Sequence, residues 1–351
     1  MENTTYKAKK YKILFVGDTS VDMYVKAFYN AAKQNQEIRP LLMGFDKLNI
    51  SNNRNNIFLR IERHYKVGPH VDQINRRLIR IVKQEQVDIV FLYTCDIIRP
   101  RTVKKISKMC YVAIYNNDNP FSDYYPKYMW NNMICSLKYA NIVYSFRKSN
   151  IKQYIDNGAK CAKLMRGYYI KERNFYIEDS SIDLDIPDVC YIGHYEDDGR
   201  AEYIRVLLEA GIDVGVSKDF EVTGMKHEHL KYISDTHPRY NEVLNKAKIA
   251  IVFLSNINKD TYTTRNFEIP VVKTMMVTPG NDDIATLFID GKEAIFYYNK
   301  IDFLDKIKYY LEHEDERLEV ALAGYDRVIR DGHAADDRIE EIINDFKEYN
   351  E

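Results

Sequence analysis

Charged side chains whose types and spacing could do chemistry concentrate in the segment KDTYTTRNFEIP at residues 259–270. Cations and carboxylates alternate there as Lys259, Asp260, Arg265 and Glu268, before an apolar run and a Pro279-Gly280 turn. Glu268 stands between Phe267 and Ile269-Pro270, a neighbourhood that argues against a fully solvated face. The plainer alternative is an ion pair with a neighbouring Arg or Lys on a surface helix. Arg200 opens a helical segment a few residues after the apolar run VCYIG, which ends in Gly193. At a helix start its guanidinium and the backbone N–H groups could together meet a diphosphate, or it could be a solvated first-turn arginine.

Three loops of the first half carry further candidates. Gly17-Asp18-Thr19-Ser20 follows the run KILFVG. It could cradle an anion at a helix N-terminus, or Asp18 or Ser20 could simply be the N-cap. Thr94-Cys95-Asp96 closes a second apolar run. Asn116-Asn117-Asp118-Asn119-Pro120 closes a third. Asn and Pro make a turn by ordinary chemistry, but a turn does not require the carboxylate of Asp118. No GxGxxG follows the first strand, and GxxxxGK[ST], HExxH and GxSxG are absent, so dinucleotide, P-loop, zinc-peptidase and α/β-hydrolase readings have no support. His227, His229 and His237 share no evident face and read as surface histidines.

The elements that must position these loops alternate between strand and helix. KILFVG, VDIVFLY at 87–93, CYVAIY at 110–115 and residues 141–146 read as buried strands, with Leu41–Phe45 a weaker one. Helical stripes lie between them, the first over Val21–Gln34 and the second through Val71, Ile74, Leu78, Ile81 and Val82. Continuous apolar strands separated by helices predict a parallel sheet covered on both faces, with ligands at the carboxyl ends of its strands. Residues 171–188 lack periodicity and read as a crossing between domains. A second α/β unit then starts at VCYIG and continues through IDVGV, IAIVFL and AIFYY. Gly211 is placed to end the helix that follows Arg200.

A chain of 351 residues is long for one core, and two domains are the natural expectation. The formal net charge of -1 gives no global attraction to nucleic acid or anionic membrane, although a local basic patch stays open. Five scattered cysteines without a CxxC pair read as reduced thiols of a cytoplasmic protein. The polar first ten residues and the short KILFVG run fit neither a signal peptide nor a membrane span. The 29 tyrosines fit sugar or base sites, and equally a coding bias in a Lys/Asn/Ile-rich sequence.

TYTTRNFEIP, then DDIATLFIDGKEAIFY, YLEHEDERLEVALAGYDRVIRDGH and DDRIEEI, in that order, resemble the carboxyl-terminal half of CgeB-like glycosyltransferases of the group-1 superfamily. The similarity covers about residues 241–343; the first half agrees in general architecture and in the NNDNP loop. The resemblance implies the GT-B fold: two Rossmann-like domains facing a cleft, with a final helix crossing back to the first. The expected division is 1–172, 173–333 and a returning helix at 334–351. It implies a nucleotide-sugar donor on the second domain, with Glu268 on the ribose hydroxyls and Arg265 close to the diphosphate. Lys259, Gly193 and Arg200 join that donor site. Asp260 occupies the place of a carboxylate near the sugar, where the superfamily often has Glu. His333 and Arg338 match the family's closing motif. Acceptor contacts fall to the first domain, at Gly17, Asp18 and Asp118, with Asp118 also the candidate base.

The expected activity is transfer of a sugar from a nucleoside diphosphate to a hydroxyl of a glycan, small-molecule or protein acceptor. Retention, and independence of a metal or other cofactor, are carried over with the resemblance. A non-catalytic sugar-nucleotide-binding or assembly protein of the same fold is the alternative, favoured by Asp260. Glycosylation of modified nucleic-acid bases is a further one, which the near-zero net charge does not favour.

Overall fold

The computed structural model describes residues 10–45, 57–126, 128–178, 181–234 and 238–351, with only the backbone of Leu59 and Arg63. His237 therefore lies outside the described residues. Contacts divide the chain into two units, one ending at Arg166 and resuming at Ala335–Glu351, the other Gly167–Ala334.

The first unit is built on six parallel strands, β1 (Tyr11–Asp18), β2 (Ile38–Phe45), β3 (Ile89–Tyr93), β4 (Tyr111–Asn116), β5 (Ile142–Ser145) and β6 (Ala162–Leu164). Their order is β2-β1-β3-β4-β5-β6. Every residue of β3, β4 and β5 is buried, as helices on both faces require. Helix Pro69–Glu85 starts on a proline whose fixed φ suits the first turn, and buries Val71, Ile74, Leu78 and Val82 along one stripe. Helix Ala335–Asn350 completes this unit, burying Ile339, Ile342 and Ile343. Phe346 meets Tyr11 and Tyr111 edge-on. Asp345 accepts hydrogen bonds from the Tyr144 hydroxyl at 2.7 Å and Lys163 Nζ at 2.6 Å. Burial, and then the Asp345 carboxylate, push the Tyr144 phenol far above its ordinary pKa, so it stays a donor.

Strand order reverses between β1 and β3, which makes that gap the natural place for a ligand. The local structure there corrects one expectation. The first helix begins at Val25, not Val21, and Tyr24 caps it without a side-chain bond. Asp18 instead accepts from Ser20 N at 2.9 Å and Ser20 Oγ at 2.6 Å, closing a turn inside the loop. Gly17 is explained by packing, since a Cβ there would lie 2.9 Å from Val25 Cβ and 3.1 Å from the Tyr93 carbonyl oxygen.

The second unit repeats the plan with β7 (Val189–Tyr191), β8 (Val214–Ser217), β9 (Leu230–Ile233), β10 (Ile249–Ile251), β11 (Met275–Pro279) and β12 (Ile295–Tyr297). The order β12-β11-β10-β7-β8-β9 reverses between β7 and β10. Gly211, at φ 76°, follows helix Arg200–Glu209 in the left-handed conformation that ends many helices. Asn299 caps helix Lys300–Glu312 by accepting from Ile301 N and Asp302 N, both at 3.0 Å. Strands β6 and β9 and helix Ile57–Tyr65 have no counterpart in the sequence reading.

Tyr115, Tyr144, Tyr154, Tyr191 and Tyr262 are among the largest fully buried side chains, so part of the tyrosine enrichment fills cores. All five cysteines are free; Cys95 and Cys190 are buried and Cys135 is exposed. Burial pushes the Cys110 and Cys190 thiols up to about 12, which leaves almost no thiolate at neutral pH. We expect a water-soluble disulfide reagent at pH 8 to titrate Cys135 alone in the fast phase, and all five thiols after denaturation. Fast modification of Cys190 in the native chain would contradict this packing.

Candidate functional site

At the reversal point of the second sheet, the chain leaves β7 through Ile192 to Gly193, whose N–H donates to Ser217 Oγ at 2.7 Å. The loop after β10 runs from Val252 to Thr264 and enters the one-turn helix Arg265–Glu268. Two inward residues seat that turn. Asn266 is fully buried; its Oδ1 accepts from Thr263 N at 2.7 Å and its Nδ2 donates to Thr278 Oγ1 on β11 at 3.0 Å. Phe267, also fully buried, stacks on His333 with ring centroids 4.2 Å apart. Residues three apart share a helix face, so fixing Asn266 and Phe267 inward aims Arg265 and Glu268 together.

Arg265 Nε donates to the Ile192 carbonyl at 2.7 Å. Its guanidinium occupies the space where any Gly193 side chain would go: a Cβ there would lie 2.3 Å from Nη2. Neither terminal nitrogen donates to a described residue. Burial works against the charge, but Tyr191, Tyr240 and Glu268 outweigh it and hold the guanidinium above its ordinary pKa. Glu268 is 3% exposed, and its Oε2 accepts from the Tyr240 hydroxyl at 2.5 Å. Its Oε1 accepts from no described residue. Burial and the neighbouring carboxylate push the Tyr240 phenol well above its ordinary value, which keeps it a donor. Arg173 lies over the Tyr240 ring, 5.0 Å from the centroid, and its buried Nε has no partner among the described residues. Tyr240 and Arg173 are absent from the sequence reading. They sit in a helix and an aperiodic crossing, and nothing local distinguishes them.

The structure therefore groups Gly193, Arg265 and Glu268, and gives Arg200 a different part. Its Nε and Nη2 hold the Asp198 carboxylate at 2.8 and 2.6 Å. Nη1 donates to the Tyr191 hydroxyl and the His194 carbonyl at 3.1 and 2.6 Å, and Nη2 also reaches the Leu254 carbonyl at 3.3 Å. All five guanidinium N–H groups are engaged by protein, and none remains for a diphosphate. The expectation that Arg200 grips the donor phosphates is corrected accordingly: it ties the loop after β7 to the loop after β10. Lys259 is exposed, at φ 54°, and Asp260 is half-buried, its N–H donating to the Ser255 carbonyl at 2.9 Å. The far end of their loop is pinned where Thr261 donates to Asp283 at 2.6 Å and accepts through its carbonyl from Asn281 at 2.9 Å. Asn281 caps the next turn, accepting from Asp283 N and Ile284 N.

In the first unit, Asp118 lies on the loop beyond β4, its N–H donating to Asn116 Oδ1 at 3.2 Å. Burial pushes the Tyr154 phenol above its ordinary pKa, with the Arg147 charge opposing the shift and the Asp118 charge adding to it. Arg147 Nη1 braces the loop through the Asn117 carbonyl at 2.8 Å. Gly17 and Asp18 are the last two residues of β1, on the other side of the reversal point from Thr94, whose φ is 45°. Among the described residues no three His, Cys, Asp or Glu side chains are grouped to hold a metal ion.

The two arginines should separate experimentally. Arg200→Ala strands the nearly buried Asp198 carboxylate and should cost about 3–5 kcal/mol of stability. Arg265→Ala removes one backbone contact and should cost about 1 kcal/mol. Urea unfolding measures both, and the reverse order would exchange their roles.

Comparison with known proteins bears on the fold and on the second half of the chain. Residues 202–344 match the model of the family described as glycosyl transferase-like. No curated protein sequence matches the chain. Among solved structures, HepE of Anabaena in complex with UDP and glucose superposes with a TM-score of 0.68 at 9% identity, over 96% of this chain and 100% of that one. A glycosyltransferase from Rickettsia africae gives 0.62 at 13% identity, over 97% and 98%. Sucrose-phosphate synthase from Thermosynechococcus elongatus gives 0.65 at 10% identity, over 97% and 99%. The chain thus has the GT-B fold, and the part of it that carries Gly193's partner Arg265 and the buried Glu268 is similar to the glycosyl transferase-like family.

Proposed function

We propose that the chain is a glycosyltransferase that moves a sugar from a nucleoside diphosphate to an acceptor hydroxyl, with retention and without a catalytic metal. The observation that carries this reading is the pair formed by Arg265 and Glu268 at the strand-order reversal of the second sheet, inside the segment similar to the glycosyl transferase-like family. Glu268 has one oxygen held by Tyr240 and the other open to hydroxyl donors, as binding a ribose would need. Arg265 keeps its terminal N–H groups for oxyanions, and Gly193 leaves the room it needs. In glycosyl transfer, negative charge grows on the departing diphosphate, and a fixed guanidinium beside it lowers the barrier. The complex of HepE with UDP and glucose fits a nucleotide-sugar donor here. Lys259 and Asp260 are assigned to the rim of the donor site, and Gly17, Asp18 and Asp118 to the acceptor. Asp118 is the residue we assign to the acceptor hydroxyl. A protein that binds sugar nucleotides without turnover is favoured by one feature, Asp260 where the superfamily often has Glu.

A thermal-shift screen of nucleoside diphosphates should show stabilisation by at least one of them. Glu268→Ala should weaken that ligand about 10- to 100-fold, the effect of losing hydrogen bonds to a charged group, with the fold intact. Arg265→Ala should lower the rate of the chemical step about 100-fold while leaving acceptor KM nearly unchanged. Unchanged donor affinity in Glu268→Ala would remove the assignment, and binding without donor hydrolysis or transfer would favour the non-catalytic reading.

A further inference from the structure

We infer that Arg173 reads the base of the nucleotide donor, and that it favours bases carrying carbonyl oxygens (uracil, thymine or guanine) over adenine. The inference rests on the donor reading of Glu268 and Arg265 given above. Arg173 stands over the Tyr240 ring, 5.0 Å from its centroid, and Tyr240 is the residue that holds Glu268. Among the described residues nothing accepts a hydrogen bond from any nitrogen of the Arg173 guanidinium. A solvated arginine can leave such donors to water. Arg173 is half-buried and its Nε is sealed, so that donor goes without. Five donors and no acceptor beside a binding site call for a ligand that brings the acceptors.

The backbone that carries Arg173 is fixed. The Ile170 carbonyl accepts from Arg173 N at 2.8 Å and from Asn174 N at 2.7 Å, which closes a turn. Asn174 Oδ1 accepts from Ile170 N at 3.2 Å and locks the same turn from its other end. Two residues after Arg173, the Asn241 side chain clamps Phe175, accepting from its N–H at 3.2 Å and donating to its carbonyl at 3.0 Å. Asn241 is 2% exposed and directly follows Tyr240 in helix Arg239–Lys246. The turn that carries Arg173 is thereby tied to the helix that carries Tyr240.

Direction follows from what each side chain reaches. Arg265 reaches back to the end of β7 through the Ile192 carbonyl. Glu268, three residues on, reaches helix Arg239–Lys246 through the Tyr240 hydroxyl. Arg173 lies beyond, across the Tyr240 ring. A nucleoside diphosphate presents phosphate, ribose and base in that order. With the phosphates at Arg265 and the ribose at Glu268, the base is carried toward Arg173. Guanine offers O6 beside N7, and uracil offers O4, acceptors that a guanidinium fork can meet. Adenine has no carbonyl oxygen, and beside its N7 stands the N6 amino group, which would meet the fork donor to donor.

The test is isothermal titration of the full chain with UDP, GDP and ADP at one salt concentration. UDP or GDP should bind about tenfold tighter than ADP. Arg173→Met keeps an apolar stem over the Tyr240 ring and removes the donors. It should weaken the preferred diphosphate about tenfold and leave ADP nearly unchanged, so that the preference collapses while the melting curve stays in place. Arg173→Lys keeps the charge without the planar fork and should not restore the preference. Glu268→Ala should weaken all three by one common factor, since it acts on the ribose they share. A preference unchanged in Arg173→Met would overturn the inference. An equal loss of all three in that variant would overturn it in favour of a phosphate contact or a support for Tyr240. ADP binding as tightly as UDP and GDP to the unaltered chain would also overturn it, and would leave the donor reading standing. No binding by any of the three would overturn both.

Discussion

The second unit depends on one buried guanidinium. Arg200 draws together the Tyr191 hydroxyl at the end of β7, the His194 carbonyl, both oxygens of Asp198 and the Leu254 carbonyl beyond β10. Those two strands flank the point where strand order reverses, and parallel strands splay apart there because nothing bridges their carboxyl ends. A five-donor hub is a rigid bridge of that kind, and its paired carboxylate keeps the desolvated charge tolerable. With the loops fixed, Gly193 presents a bare backbone, and Arg265 lies in the space so left.

Two arginines about which the sequence says similar things thus divide the work. One is wholly satisfied and holds geometry; the other keeps its terminal N–H groups free of described protein acceptors. Glu268 shows the same economy on the anionic side, with one oxygen steadied by Tyr240 and one open. Tyr240 in turn lies under Arg173. A line of buried polar groups of this kind stays ordered because each member restrains the next.

Much of this was legible in advance. Long apolar strands such as VDIVFLY and CYVAIY announce a buried parallel sheet, and the segment around Glu268 announces its relatives. What was hidden follows physical lines. Strands β6 and β9 are three and four residues long and largely half-buried, too short for periodicity to show. The outward stripe of Ile57–Tyr65 has the amphipathic spacing of a helix but the opposite orientation, which spacing cannot report. The role of Arg200 turns on Asp198, two residues away, and an i,i+2 pair is not expected to meet on a helix. It meets here because Gly199, at φ 91°, bends the chain between them.

The helix Ala335–Asn350 belongs to the first unit although the whole second unit precedes it in the chain. On a ribosome, Gly167–Ala334 is complete and contiguous before Ala335 is made. The first unit, begun earlier, still lacks Ile339, Ile342, Ile343 and the ring of Phe346 against Tyr11 and Tyr111. Domains usually mature in the order of synthesis. In this chain the earlier-made half must wait with part of its core uncovered, and the later-made half is the first free to close.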